Sequence, residues 1–73
     1  MMHVEDSLDG KTWRPFHLLG PVLTFKSKME AKAWFASLIE ANTPDWQVGF
    51  LIRFTDGRYY RLVHKNGKEV KYT

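Results

Sequence analysis

Residues 47–73 have the sequence QVGFLIRFTDGRYYRLVHKNGKEVKYT, in which two short turns separate three segments with apolar residues at alternate positions. Asp56-Gly57 and Asn66-Gly67 are hairpin turn signals, because Asp and Asn tolerate tight turns and Gly adopts the positive φ that other residues resist. We therefore predict a three-stranded antiparallel meander, over about 47–54, 58–64 and 68–73.

The two turns allow two loop lengths, and the choice decides which side chains face the core. Two-residue loops would place Ile52 opposite Arg61 and put a guanidinium in the middle of the apolar face. Three-residue loops, each closed by a Gly bulge, instead pair Ile52 with Tyr60 and Leu62 with Val70. Because a one-residue slip would bury charge and expose rings, we predict the three-residue loops.

This register sorts the meander into an apolar face and a mixed face. The apolar set is Val48, Phe50, Ile52, Tyr60, Leu62, Val70 and Tyr72. The mixed set is Leu51, Arg53, Tyr59, Arg61, Val63, Glu69 and Lys71. We expect the first set to pack in the core and the second to face away from it.

A single helix is predicted before the meander, over about 28–41. Ser27 and Glu30 fit a capping box, in which the Ser oxygen accepts a hydrogen bond from the third helical N–H. The stripe that follows has the spacing of one buried helix face, at Ala31, Trp34, Phe35, Leu38 and Ile39. Thr43-Pro44 should end the helix, with Asn42 as a left-handed cap.

An N-terminal hairpin is predicted around a third turn, Asp9-Gly10, with arms over 3–7 and 11–17. Pro15 should bend the second arm and keep the hairpin at a sheet edge, because Pro lacks the N–H that a central strand needs. A short extended piece, 22–25, then leads into the helix. Covering the apolar face with the helix gives a two-layer α+β fold, in a single domain of residues 1–73.

Composition limits the size and the class of the protein. The chain has 73 residues, no cysteine, 44% hydrophobic residues and a formal net charge of +3. Its aromatic content argues against disorder, and its length allows one small core. With no visible signal peptide, no segment able to span a membrane and no cysteine, we expect a cytoplasmic monomer. The basic charge lies in residues 47–73, where six Lys and Arg face Asp56 and Glu69.

No arrangement of residues typical of catalysis or of metal binding is present. His3, His17 and His64 are far apart and lack the spacing of metal ligands, and no Gly-rich phosphate loop occurs. Turn and cap chemistry accounts for Asp9, Glu30, Asp45 and Asp56, half of the eight carboxylates. We therefore predict that the protein is not an enzyme and uses neither a cofactor nor a metal.

The remaining candidate for function is a partner-binding surface on the mixed face. Its predicted residues are Arg53, Arg58, Tyr59, Arg61, Val63 and Lys71. Lys and Arg on a solvent face also keep sheets soluble, but the interleaved Leu51, Tyr59 and Val63 favour a contact surface. Trp13 and Trp46 are expected in the core, as most Trp side chains are.

Residues 46–73 resemble a WW domain, a three-stranded meander that binds proline-rich peptides. The shared residues are Trp46, Thr55-Asp56-Gly57-Arg58-Tyr59-Tyr60, His64 and Tyr72. Tyr72 stands where the second Trp of that family is found, the His comes one residue late, and no closing Pro follows. We attribute the similarity to turn and strand chemistry.

The whole chain is similar in kind, without a shared motif, to small bacteriophage proteins that bind bacterial RNA polymerase and alter initiation or termination. That resemblance implies a regulator that acts by protein contact, and no residue can be carried over from it. We predict a non-enzymatic binding protein whose partner is a protein, with RNA polymerase as the specific candidate. The alternatives are direct nucleic-acid binding through the basic and aromatic face of the C-terminal sheet, and a small subunit of a larger assembly.

Overall fold

Six β-strands and one helix form the protein in its computed structural model, which describes residues 1–73. The elements in chain order are β1 (Met2–Ser7), β2 (Arg14–Pro15), β3 (Thr24–Phe25), α1 (Lys28–Ala41), β4 (Pro44–Val48), β5 (Leu51–Phe54) and β6 (Tyr59–His64). The strands form one antiparallel sheet in the order β2-β1-β6-β5-β4, and β3 also pairs with β1. One helix over one antiparallel sheet confirms the predicted α+β class.

The helix has the predicted bounds, and its start follows the predicted chemistry. The Glu30 backbone N–H donates to the Ser27 hydroxyl oxygen at 3.2 Å. Ala31 and Phe35 are buried in the core. The other three residues of the stripe are partly buried and pack against the core: Trp34, Leu38 and Ile39. Asn42 ends the helix in an extended conformation, with φ −136°, so the predicted left-handed cap is wrong. Its N–H and its side-chain amide both donate to the Leu38 carbonyl.

Both predicted three-residue loops are present. The Phe54 N–H donates to the Arg58 carbonyl at 2.9 Å, and the His64 N–H donates to the Lys68 carbonyl at 2.8 Å. Ile52 lies opposite Tyr60, so Arg61 stays out of the core.

The C-terminal part fits the predicted meander in outline, but residues 68–73 do not form a regular third strand. In a strand, the backbone groups of every second residue point to the same edge. Arg58 and His64 are six positions apart, so the hydrogen bonds that join them to Phe54 and Lys68 lie on the same edge of β6. β5 and the C-terminal segment must share that edge, which leaves room only for a bridge between Val63 and Glu69 and for the Val70 N–H bond to Leu62.

The opposite edge of β6 pairs with β1 along its full length, from Met2 opposite His64 to Ser7 opposite Tyr59. β1 is therefore a central strand, and the edge of the sheet is formed by β2 and β3 beside it. Tyr72, which was expected to pack in the core, instead lies at its margin, with its ring 4.9 Å from that of Phe50 and 41% of its surface exposed.

The predicted strand over 47–54 is two strands, because the chain reverses at Gly49-Phe50. Gly49 has φ +61°, which a Gly adopts without strain, and β4 then pairs antiparallel with β5. Val48 was assigned to the apolar face, but it lies opposite Leu51 on the other face and is 72% exposed.

The N-terminal hairpin forms around Asp9-Gly10, with a second arm reduced to Arg14–Pro15. The core lies between α1 and one face of the sheet and is formed by Met2, Val4, Phe25, Ala31, Phe35, Phe50, Ile52, Phe54, Tyr60, Leu62 and Val70. The single helix is too short and too polar to cross a lipid bilayer.

Candidate functional site

The sheet has a face that α1 does not cover, which we call the outer face. Strand alternation and pairing place on it the side chains of His3, Glu5, Trp46, Val48, Leu51, Arg53, Tyr59, Arg61 and Val63, and Trp13 packs beside them. These side chains come from four different strands and one turn. The outer face is therefore assembled by the fold and does not correspond to one sequence segment.

Three aromatic rings form a row on the outer face, with Tyr59 in the centre. The Tyr59 ring lies 6.4 Å from that of Trp13 and 6.1 Å from that of Trp46, and both contacts are edge-to-face. Edge-to-face packing at this distance is the favoured geometry for aromatic pairs. Trp46 is 40% exposed, so this row presents a large ring to solvent.

The first Asp-Gly turn supports Tyr59 from behind. Gly10 has φ +77°, and a Cβ atom built on it would lie 3.0 Å from the Tyr59 ring, a tighter contact than most Cβ atoms make, so the ring would have to shift. Ser7 and Asp9 fix this turn, because the Gly10 N–H donates to the Ser7 hydroxyl and the Lys11 and Thr12 N–H groups donate to the Asp9 carboxylate. Those bonds lower the pKa of Asp9 to about 2, with the Thr12 N–H as the largest cause.

The two arginines of the outer face are held by carboxylates and rings. The Arg61 guanidinium lies 2.7 Å from the Glu5 carboxylate and 4.1 Å from the centre of the Trp13 ring. Arg53 forms an ion pair with Asp45 and lies 5.7 Å from the centre of the Tyr59 ring. The hydrogen bond to Asp45 raises the pKa of Arg53. Each guanidinium thus has a fixed position and a neutralising partner.

The structure brings together only part of the predicted partner-binding set. Arg53, Tyr59 and Arg61 share the outer face as predicted. Val63 also points to this side, but its side chain is fully buried, with 0% exposure, so a partner could not contact it in this conformation.

Arg58 and Lys71 lie away from these three residues. Arg58 lies two positions before Tyr60 and therefore points to the same side of the sheet as Tyr60. A hydrogen bond to the Tyr60 side chain raises the pKa of Arg58. It lines a surface cleft with Asp6 and Arg14, which form an ion pair. Lys71 is exposed in the C-terminal segment beyond the last sheet bridge.

Trp13 and Trp46 belong to the outer face, contrary to the expectation that they pack in the core. Trp46 lies opposite Arg53 because β4 is a separate strand. The signal that would have placed it there is Gly49, since a reversal at that residue puts Trp46 and Val48 on the same side as Leu51 and Arg53. Trp13 has no comparable local signal, because its position depends on β1 pairing with β6.

The outer face has neither a grouped set of metal ligands nor a deep cavity. No three His, Asp or Glu side chains of the protein are arranged to hold a metal ion, and His3 contacts only one carboxylate, that of Glu5, at 3.5 Å. The arrangement offers exposed aromatic surface beside two guanidinium groups that are held in place by carboxylates. Comparisons of the chain with protein-family models, with curated proteins and with solved structures found no match.

Proposed function

We propose that the protein is a non-enzymatic binding protein that contacts a protein partner through the outer face. The observation that supports this most is the aromatic row of Trp13, Tyr59 and Trp46, flanked by Arg53 and Arg61. Trp, Tyr and Arg are the residues most enriched at energetic hot spots of protein interfaces. Because the rings and guanidinium groups already hold each other in place, little side-chain entropy remains to be lost on binding.

The charge balance of the outer face favours a protein over a nucleic acid as its partner. Arg61 is paired with Glu5 and Arg53 with Asp45, so the two cations and two carboxylates cancel. A phosphate that approached either guanidinium would meet a carboxylate already bound there, and the pairs would have to be broken. Protein interfaces, in contrast, tolerate neutral mixtures of rings and paired charges.

As the specific partner we propose bacterial RNA polymerase, with the protein acting as a phage-type regulator of transcription in the cytoplasm. The support for this step is the likeness in kind to small regulators of that enzyme: a small, mildly basic, cysteine-free chain rich in aromatic residues. The outer face supplies the surface that such a regulator would need.

The test is binding of purified bacterial RNA polymerase to the immobilised protein, with Trp46→Ala as the variant. Trp46 is 40% exposed, so its removal takes contact area from the outer face without opening the core. Loss of a hot-spot ring costs about 2 kcal/mol or more, so we expect affinity to fall roughly thirtyfold.

Met29→Ala is the matched control, because Met29 is 80% exposed on α1, away from the outer face. Its affinity should equal that of the unchanged protein. Absence of polymerase binding would exclude the specific partner, and equal affinity of the Trp46→Ala variant would exclude the outer face as its site.

A further inference from the structure

The lysines of this protein differ from its arginines in what they contact. Three of the four arginines form ion pairs with carboxylates, whereas none of the seven lysines does. Lys32 lies 4.3 Å from the centre of the Tyr72 ring, and Lys28 donates to the Thr73 carbonyl at 3.3 Å. Apart from Arg58, the positive charge that no carboxylate pairs is therefore carried by lysine.

Most of these lysines lie at one end of the molecule, which we call the basic end. Its cations are Lys26, Lys28, Lys65, Lys68 and Lys71. Sheet pairing brings their segments together: Met2 lies between His64, which precedes Lys65, and Phe25, which precedes Lys26. The strands that contain these residues, β3, β1 and β6, together span about 10 Å at the usual strand spacing. Lys28 begins α1 directly beyond them, and its bond to Thr73 draws the C-terminal segment to the same end.

The basic end carries the whole net charge of the protein. Its two carboxylates are Glu30, which bonds to the Ser27 hydroxyl of the helix cap, and Glu69. Five lysines and these two carboxylates give +3, and the other six cations and six carboxylates of the chain cancel. A small protein with all of its excess charge at one end presents a local field there that attracts polyanions.

We propose that the basic end binds the phosphate backbone of double-stranded DNA, without reading its sequence. Lysine acts as a mobile point charge that suits phosphate contacts. The strands that lead into Lys26 and Lys65 are about 10 Å apart, so both side chains can reach phosphates of one densely charged duplex backbone. A shallow cleft between these two segments, lined by Met2, His3, Thr24 and Lys65, gives the backbone a place to lie.

A duplex fits the basic end better than a single strand does. Single-strand binding relies on aromatic rings that stack on bases, and the aromatic row lies on the outer face. Tyr72, which follows Lys71 in the chain, already packs against Phe50 and Lys32. The basic end can be tested independently of the proposed function, because none of its five lysines lies on the outer face and His3 borders both surfaces.

Binding of a labelled 20-base-pair duplex of arbitrary sequence, followed by fluorescence anisotropy at several salt concentrations, tests the proposal. With about four phosphates neutralised, affinity should fall roughly a hundredfold between 50 and 200 mM salt. Lys65→Gln or Lys26→Gln should each weaken binding and reduce the slope of log K against log salt by about one. Lys65→Arg should retain the slope.

Lys11→Gln is the control, since it removes the same charge from the turn at Asp9-Gly10 and should leave the slope unchanged. Trp46→Ala should also leave DNA binding unchanged, which separates this surface from the outer face. Failure to bind the duplex at 50 mM salt would overturn the proposal. So would equal effects of Lys11→Gln and Lys65→Gln, or binding to phosphatidylserine vesicles in place of DNA.

Discussion

Tyr59 is the residue on which the outer face depends, because distant parts of the chain contact its ring. Trp13 and Trp46 pack against its two sides, Arg53 lies near its face, and Gly10 lies directly behind it. Variants such as Arg61→Glu or Tyr59→Ala would disturb more than a partner contact, since Arg61 also pairs with Glu5 and packs on Trp13. Trp46 is the better probe of binding because fewer contacts hold it.

Gly10→Ala should destabilise the protein more than the same change at Gly57. Both residues have positive φ, which costs a residue with a Cβ atom about 1–2 kcal/mol. Only at Gly10 would the new Cβ meet another group, the Tyr59 ring at 3.0 Å, whereas nothing lies within 4 Å at Gly57. Crowding should add about 1 kcal/mol or more to the loss at Gly10.

Urea unfolding measures both losses in free energy by linear extrapolation. If Gly10 supports Tyr59, the two variants must differ clearly in the free energy of unfolding. Equal losses would mean that Gly10 serves the turn alone and does not support Tyr59.

Among the elements, α1 is the one whose bounds the sequence predicts in full. Its cap, its stripe and its end all depend on residues close together in the chain, so local patterns are sufficient. Its first turn is set by Ser27, which accepts from the Glu30 N–H at 3.2 Å. The element therefore offers a direct check that local chemistry sets its stability.

Ser27→Ala should lower the free energy of unfolding by about 1 kcal/mol, because the helix loses its N-cap acceptor. Ser37→Ala is the matched control in the same helix, where the exposed Ser37 hydroxyl bonds back to the Ala33 carbonyl at 3.2 Å. Ala is the stronger helix former, so this change should leave stability equal or slightly higher. Thermal or urea unfolding of both variants provides the comparison, and losses of the same size in both would contradict the capping role.

The strands show where local patterns stop being sufficient. Loop lengths follow from charge sorting, and the pairing of Ile52 with Tyr60 confirms them. The same loops place β5 and the C-terminal segment on one edge of β6, because residues an even number of positions apart in a strand bond to the same edge. The pattern of alternating hydrophobic residues does not reveal this competition. Gly49 lies inside the segment predicted as one strand, 47–54, and its positive φ allows the turn that divides that segment into β4 and β5.

At the scale of the whole molecule, the pairing of β1 with β6 decides the architecture. This contact joins residues 2–7 to residues 59–64, and no local signal specifies it. It places Trp13 beside Arg61 and makes β1 central, which is why Arg53, Tyr59 and Arg61 could be predicted as neighbours and Trp13 could not. It also separates the neutral outer face from the basic end, although the sequence groups the basic residues into one C-terminal segment.

Hydroxyl-radical footprinting of the protein alone and bound to its partner, for which we propose bacterial RNA polymerase, tests the role of the outer face most directly. Trp46, with 40% exposure on the outer face, and Met29, with 80% exposure on α1, both oxidise readily and report on opposite sides of the molecule. We predict that binding reduces oxidation of Trp46 at least severalfold and leaves that of Met29 unchanged, as expected when a hot-spot ring loses its solvent contact. Protection of Met29 with Trp46 still oxidised would contradict the assignment of the outer face as the binding surface.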